Sequence, residues 1–353
     1  MEATRTLGSA QAAEVDGRSA FVLCHPRDRN DATFRYLRVV ERALAMAGYR
    51  CRGIVESLES VRDGDLVFTI SCIYALKVLL SRKRVKLVHW FQGVEPEERR
   101  FLHGGVKGVL QGWLWSLLER WTLRRATLPL FVSQEMAEHY GCKYGFRGEH
   151  FVMPCYNADL DPQAFEDKYG ALRLVYAGSM HPWQRVGDVV EVYRELKRSV
   201  PDVTLTILTR ELEQARALCA RRGVPEVQVR SVPADRVAAE LRPFSFGFIL
   251  RGEMAINRVS TPTKLSSYMA AGVIPVLTSA TPALVRAVQS TTFRIAVGAD
   301  APTAETADEI RKLYWTGIRP EQVLRDYRAV FGDLFDDETN AVTLCGLLRR
   351  LCS

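Results

Sequence analysis

The sequence predicts an α/β protein built from two doubly wound, Rossmann-like domains that face each other across a cleft. Short apolar, β-branched runs alternate with helical patterns along the whole chain. The alternation pauses once, over the polar residues 157–170, and then starts again. The 353 residues also exceed one ordinary domain and suit two of roughly 150. Strands that are apolar throughout, rather than alternately apolar and polar, belong to parallel sheets covered by helices on both faces.

In the first half the expected strands are residues 20–24, 51–55, 66–70, 85–90, 128–132 and 151–154, with helices over 33–47 and 106–124. The second half offers strands at 172–176, 203–208, 227–229, 247–250 and 274–277. The chain therefore divides into a loose tail over 1–18, a first domain over 19–157, a second over 171–319, and C-terminal helices over 320–353 able to cross back to the first domain. The tail is small and polar, without the apolar centre of a secretory signal, and no apolar run approaches the ~20 residues of a spanning helix. Eight cysteines are scattered, with no C-x-x-C pair and no histidine at zinc-ligand spacing. The expectation is a cytoplasmic protein with reduced thiols and no metal.

The net charge of +7 is uneven: residues 1–157 hold 23 Lys and Arg against 17 Asp and Glu, and the rest is nearly balanced. Such a surplus suits an anionic substrate or an anionic membrane surface. Dense basic tracts are lacking, which argues against nucleic acid as a partner.

Ligands of doubly wound sheets bind beyond the C-terminal ends of the strands, where helices begin. The most informative such turn is "STPTKLSSYMAAGVIPVL", residues 260–277. Thr261 reads as an N-cap and Pro262 as the first helical residue. Leu265, Tyr268, Met269 and Gly272 fall on one face, and Gly272 ends the helix. The amides of Thr263 and Lys264, the positive helix end and the Lys264 ammonium would then converge on one anionic point, a phosphate. Ser267 shares the Thr263 face. Ser266 lies off it, where substitution is expected to be nearly silent. Arg251 ends the preceding strand and Asn257 sits in the following loop, so each either contacts the same ligand or bridges backbone groups. Gly178 permits either a tight turn or a close backbone approach, with Trp183 and Gln184 over the same cleft.

In the first domain, His89 ends a strand just before "WFQG", where it reads either as a hydrogen-bonded structural residue or as a site residue. "HPRDRND", residues 25–31, follows the first strand at a ligand-facing position, where it reads either as a solvated loop or as an acceptor or diphosphate contact. Glu95, Glu97 and Glu98 suit a solvated acidic helix start, with acceptor binding as the alternative. "KGVLQGWLWSLLERWTLRR" puts Leu110, Trp113, Leu114, Leu117, Leu118 and Trp121 on one stripe beside Lys107, Arg120, Arg124 and Arg125. That pattern fits a helix packed on the sheet, or one lying on anionic lipid with help from "SRKRVK" at residues 81–86.

Four segments together resemble one family. "TPTKLSSYMAAGVIPVL" is similar to the P-x-K-x-x-E-Y-x-A-x-G-x-P-V segment of the retaining GT-B glycosyltransferases classed as family four. "LVYAGSMHPWQRVGDVVEVYRELK" is similar to the strand, Gly-rich turn and helix that open that group's sugar-donor domain. "LFVSQEMAEHYG" followed by "VMPCYNADLD" resembles its last N-domain strand and interdomain linker, and "VHWFQGVEPEE" its His-containing acceptor loop. The likeness runs along nearly the whole chain from about Phe21.

The resemblance implies a GT-B fold and transfer of a sugar, with retention, from a nucleoside diphosphate donor to a saccharide or lipid-linked acceptor, in polysaccharide or glycolipid synthesis. UDP is implied by family habit, and no cofactor or metal is required. Lys264 and Arg251 would neutralise the leaving diphosphate, and His89 would orient the donor sugar or phosphate. Gly178, Ser179, Gln184, Arg185, Asn257, Thr261, Thr263 and Ser267 would bind the nucleotide sugar. Two departures stand out. The positions of the family's E-x7-E pair, whose second Glu grips the ribose, are Val259 and Ser267. Its usual Arg and Lys after the donor-domain Gly appear as Ser179 and as Gln184 or Arg185. These departures favour an alternative, a non-catalytic relative that binds a saccharide or a partner.

Overall fold

The computed structural model describes residues 18–25, 31–166 and 168–352. Among them the first sheet contains β1 (Ser19–Leu23), β2 (Arg50–Val55), β3 (Leu66–Thr69), β4 (Lys86–Phe91), β5 (Leu128–Phe131) and β6 (Phe151–Val152). All neighbours pair in parallel, in the order β2-β1-β3-β4-β5-β6. Strands β3 and β5 are buried at every position, as their unbroken apolar runs require, because helices cover both faces. Those helices are α1 (Asp31–Met46), α2 (Cys72–Leu80), α3 (Glu95–His103), α4 (Gly105–Arg125) and α5 (Gln134–Tyr144).

The second sheet comprises β7 (Arg173–Ala177), β8 (Thr204–Leu208), β9 (Gln228–Arg230), β10 (Phe246–Ile249), β11 (Ile274–Thr278) and β12 (Ile295–Val297). It is also fully parallel, in the order β12-β11-β10-β7-β8-β9, so the strand order reverses between β7 and β10. Strand β12 goes beyond the expected set. Around this sheet lie α6 (Val186–Ser199), α7 (Leu212–Arg221), α8 (Val237–Leu241), α9 (Ala255–Val259), α10 (Lys264–Ala270), α11 (Pro282–Ala287) and α12 (Thr303–Trp315).

Two C-terminal helices follow, and they part company. Helix α13 (Pro320–Leu334) stays with the second sheet, its Tyr327 hydroxyl donating to the Phe293 carbonyl at 2.8 Å. Helix α14 (Asp337–Leu351) crosses and packs along α1. Its end is gripped by the first domain: the Cys352 carbonyl accepts from Arg18 (3.3 Å), from the Tyr49 hydroxyl and from Lys86.

Helix α10 begins at Lys264, with Thr263 rather than Thr261 at the N-cap. The Thr261 hydroxyl is used elsewhere: it accepts from the Cys155 amide (3.0 Å) and donates to the Val132 carbonyl (3.4 Å), tying the second domain to the linker and to the end of β5. Ser133 adds a bond to the Val259 carbonyl at 2.7 Å, and Arg286 pairs with Glu135. Alongside these, Ser266 is fully buried; its oxygen accepts from the Asn157 amide (3.1 Å), with the Thr263 carbonyl 3.0 Å away. The near-silence expected of Ser266 substitution concerns turnover; for stability the position matters. An exposed-looking position in the helix pattern is a clip on the interdomain linker. Ser266→Ala should lower unfolding free energy by about 0.5–1.5 kcal/mol, the worth of the one hydrogen bond it makes to the linker. Denaturant titration checks this, an unchanged midpoint being the contrary result.

Candidate active site

Strand β7 ends at the reversal of the second sheet and runs into Gly178, whose φ of +149° suits glycine and few side chains. The space a side chain would fill is already taken: a Cβ here would lie 2.6 Å from both Cε and Nζ of Lys264. Lys264 is thus laid across the glycine, its ammonium donating to Gln184 Oε1 (2.6 Å) and the Tyr176 hydroxyl (3.2 Å) and standing 4.3 Å from the centre of the Tyr176 ring. Burial, and then the charge of Arg251, hold its pKa well below the usual lysine value.

Arg251 follows β10 and is 5% exposed. Its backbone amide donates to Thr278 Oγ1 (2.9 Å) and its Nη1 to Asn257 Oδ1 (3.3 Å), while its Nε is buried without a partner. Burial brings its pKa down to about 10. Neither cation forms an ion pair with a described residue; Gln184, Tyr176 and Asn257 are neutral. Buried charges are ordinarily paired, so this arrangement is complementary to an anion that enters from outside.

Above Lys264 opens a cavity of about 560 Å³. Gly178, Ser179, Thr263, Lys264, Ser267 and Asn157 line one side; Leu208, Val232, Val237 and Leu241 line an apolar one, with Thr209, Arg210 and Glu211 following Leu208 at the end of β8. Of the residues expected to bind the nucleotide sugar, the structure brings Gly178, Ser179, Thr263 and Ser267 to this cavity together with Lys264. Gln184 is buried beneath it, occupied by the lysine. Asn257 is fully buried and holds Arg251 in place, its amide nitrogen donating to the Gly252 carbonyl at 2.8 Å. Arg185, in a left-handed conformation, spends its guanidinium on Asp188 and on the Ala299 carbonyl. Thr261 is committed to the linker.

His89 lies elsewhere, in a second, polar cavity of about 270 Å³ in the first domain, with Thr33, Ser71, Cys72, Gln92, Glu95 and Glu119. Its Nδ1 is 2.6 Å from Thr69 Oγ1 and its Nε2 3.7 Å from Cys72 Sγ. Burial pushes its pKa down to about 3, so the ring is neutral at physiological pH. The acidic start of α3 is less uniform than its pattern: Glu95 is 3.4 Å from Arg99 and Glu97 is 2.8 Å from Lys143. Glu98 folds against Gly93 and is pushed up to about 7, by burial and by Glu95. Residues 26–30 of the "HPRDRND" segment lie outside the described residues.

Helix α4 turns its small and polar residues inward: Gly108, Gly112, Glu119, Thr122 and Leu123 are buried, and Gly108 and Gly112 leave room for Arg100 of α3. Most of its large apolar residues face outward, whereas Trp115 and Leu118, the latter expected on the same stripe, are half-buried against the core. Val106, Val109, Leu110, Trp113, Leu114, Leu117 and Trp121 are exposed, from 38% at Trp121 to 87% at Val106. On α3, Phe101 meets the second domain edge-on at Trp183 (5.6 Å), which in turn stacks on His181.

No protein-family model matches the chain, and no curated protein matches it by sequence. The fold does find counterparts. Sucrose-phosphate synthase from Thermosynechococcus elongatus superposes with a TM-score of 0.70 at 13% identity, over 95% of this chain and 99% of that one. The lipopolysaccharide outer core galactosyltransferase WaaB gives 0.61 at 12% identity, over 92% and 99%. A TarM mutant of S. aureus, in complex with fondaparinux, alpha-GlcNAc-glycerol and UDP, gives 0.61 at 10% identity over 84% of this chain; the chain spans 57% of its length. The protein has the GT-B glycosyltransferase fold.

A polyphosphate bound above Lys264 would offset both causes of its lowered pKa. Binding should then take up protons between the lowered pKa of the empty site and the higher one of the complex, and affinity should fall as pH rises across that window. Calorimetry of UDP binding in buffers of different ionisation enthalpy reads this directly. Proton release would remove Lys264 from the phosphate.

Proposed function

We propose that the protein is a retaining glycosyltransferase that moves a sugar from a nucleoside diphosphate, UDP foremost, to a hydroxyl of a saccharide or lipid-linked acceptor in polysaccharide or glycolipid synthesis. The observation that carries this reading is the pair Lys264 and Arg251, enclosed and without an ion-pair partner among the described residues near the reversal of the second sheet, with Lys264 lining a cavity of about 560 Å³. Transfer requires a departing diphosphate to be stabilised as positive charge grows on the sugar ring, and preorganised cations in a site shielded from water do this well. Lys264 and the first amides of α10 would face the leaving oxygens, with Arg251 reinforcing the field from behind. As the bond from the anomeric carbon to the phosphate oxygen breaks, that oxygen takes the proton of the acceptor hydroxyl, which bonds to the same face of the sugar. The polar cavity beside His89 is the place for the acceptor. UDP is supported by its presence in the TarM complex.

The outward face of α4 supports a lipid-linked acceptor met at an anionic membrane, in keeping with a peripheral protein on the cytoplasmic side. Seven large apolar residues are flanked by Lys107, Arg120, Arg124 and Arg125, and the helix's one carboxylate, Glu119, is 1% exposed. Helix α2 packs beside α4, ends at exposed Leu80 and leads into Arg82, Lys83 and Arg84. An apolar stripe rimmed by one sign of charge matches the acyl and headgroup layers of anionic lipid.

UDP, GDP, ADP or TDP should raise the melting temperature, because a ligand of the folded state stabilises it by mass action. Lys264→Ala should lower kcat/KM about ten- to hundredfold through loss of a charge-assisted contact, read as UDP release from UDP-sugars given lipid or saccharide acceptors. No shift with any diphosphate would end the transferase reading; binding with no turnover on any acceptor would leave the non-catalytic one.

Sedimentation with anionic but not neutral vesicles, weakened by salt and by Leu114→Asp, is the outcome expected of α4. Binding to both alike, or to neither, would assign the stripe to a protein partner instead.

A further inference from the structure

One residue that no sequence pattern singled out reaches the cavity above Lys264. Asn157 comes from the interdomain linker and lines that cavity beside Thr263, Lys264 and Ser267. Its placement is fixed from several sides. The backbone amide donates to Ser266 Oγ (3.1 Å), and the carboxamide oxygen lies 2.8 Å from Ser267 Oγ and 3.1 Å from Ser266 Oγ. Both hydroxyls also reach the Thr263 carbonyl, at 3.0 and 3.1 Å. Each serine has one proton to give, so the Thr263 carbonyl and the Asn157 oxygen share the two. With its oxygen held by the serines, the Asn157 Nδ2 is left with its protons free: it donates to no described residue, and the side chain is exposed within the cavity.

The lining is ordered. Lys264 opens α10, Ser267 follows one turn later with Asn157 beside it, and α8, which packs on α10, supplies the apolar Val237 and Leu241. Along α10 and α8, charge, neutral hydrogen-bonding groups and apolar wall succeed one another as diphosphate, hydroxylated ring and flat base do in a nucleotide, while Thr209, Arg210 and Glu211 line the cavity from the end of β8. We propose that Asn157 Nδ2 donates to a ribose hydroxyl oxygen of the bound nucleoside diphosphate, making this linker asparagine a residue that recognises the ribose. The hydroxyl returns its own proton to Ser267 Oγ, which keeps a lone pair for it. The assignment rests on the reading of the cavity as a nucleoside diphosphate site.

Calorimetric titration with UDP, 2′-deoxy-UDP and 3′-deoxy-UDP tests it. Wild-type protein should bind one of the deoxy compounds about three- to tenfold more weakly than UDP, the range expected for one neutral hydrogen bond. Asn157→Ala should lose the same factor for UDP and nothing further for that deoxy compound, so the two effects are not additive. Should Asn157→Ala fail to fold, Ser267→Ala decides: it spares the linker bond to Ser266 and should narrow the ribose preference in the same direction. Full discrimination retained in the variant that folds, or no discrimination in the wild type, overturns the role of Asn157. If UDP binding still depends on Lys264 in that case, the donor-site reading stands; if no diphosphate binds at all, both fall.

Discussion

Positive charge enclosed without a carboxylate, at the point where the second sheet reverses, is the constraint around which the rest is arranged. Desolvating a guanidinium or an ammonium is unfavourable by several kcal/mol, and a nearby Asp or Glu would relieve it. Instead the sequence surrounds Lys264 and Arg251 with dipoles: the Tyr176 hydroxyl and ring, the Gln184 amide, the Asn257 carbonyl. These solvate the cations without neutralising them, so the attraction for an incoming anion is preserved at the expense of stability in the empty protein. Gly178 belongs to the same arrangement. Any side chain there would displace the lysine from the one place where it meets both Tyr176 and Gln184.

The residues that support this charge explain which parts of the site were legible in the sequence. Strand and helix periods marked both sheets, and the turn after β10 pointed to Lys264 and Arg251 because strand ends in such folds carry ligands. What the pattern could not reveal is who holds whom. Gln184 and Asn257 have the composition of ligand contacts and are instead partners of the two cations. Thr261 has the composition of a cap and is instead bonded to Cys155 and Val132, more than 100 positions earlier in the chain. Asn157 was invisible for the same reason: its neighbours Ser266 and Ser267 are 109 and 110 positions away. Helix α4 was ambiguous because an amphipathic period does not say which face is inside. Gly108 and Gly112, four apart on the face turned away from Trp113 and Trp121, carried the missing signal, since small residues permit close packing.

Between the domains the contacts are mainly polar and specific. Ser133, Thr261 and Ser266 each satisfy backbone groups of the other domain or of the linker, which buried amides and carbonyls demand. The helix that carries Lys264 is therefore bonded at its start to the first domain and along its first turn to the linker. A shift of one domain against the other is felt at the lysine, without any further element to transmit it.

The chain passes between the domains twice, once after β6 and once between α13 and α14, and the two passages touch. The Tyr156 hydroxyl of the first donates to Asp337 of the second at 2.8 Å, with Asn340 at 3.3 Å, and Arg35 reaches Asp159 and Asp337 from the first domain. Two covalent crossings laid side by side make a pivot that turns but does not slide. Contacts on that pivot persist through a swing, whereas those made by elements outside it, Phe101 on Trp183 among them, are free to part. The protein is hung like a door on paired hinges, with the aromatic contact as its latch.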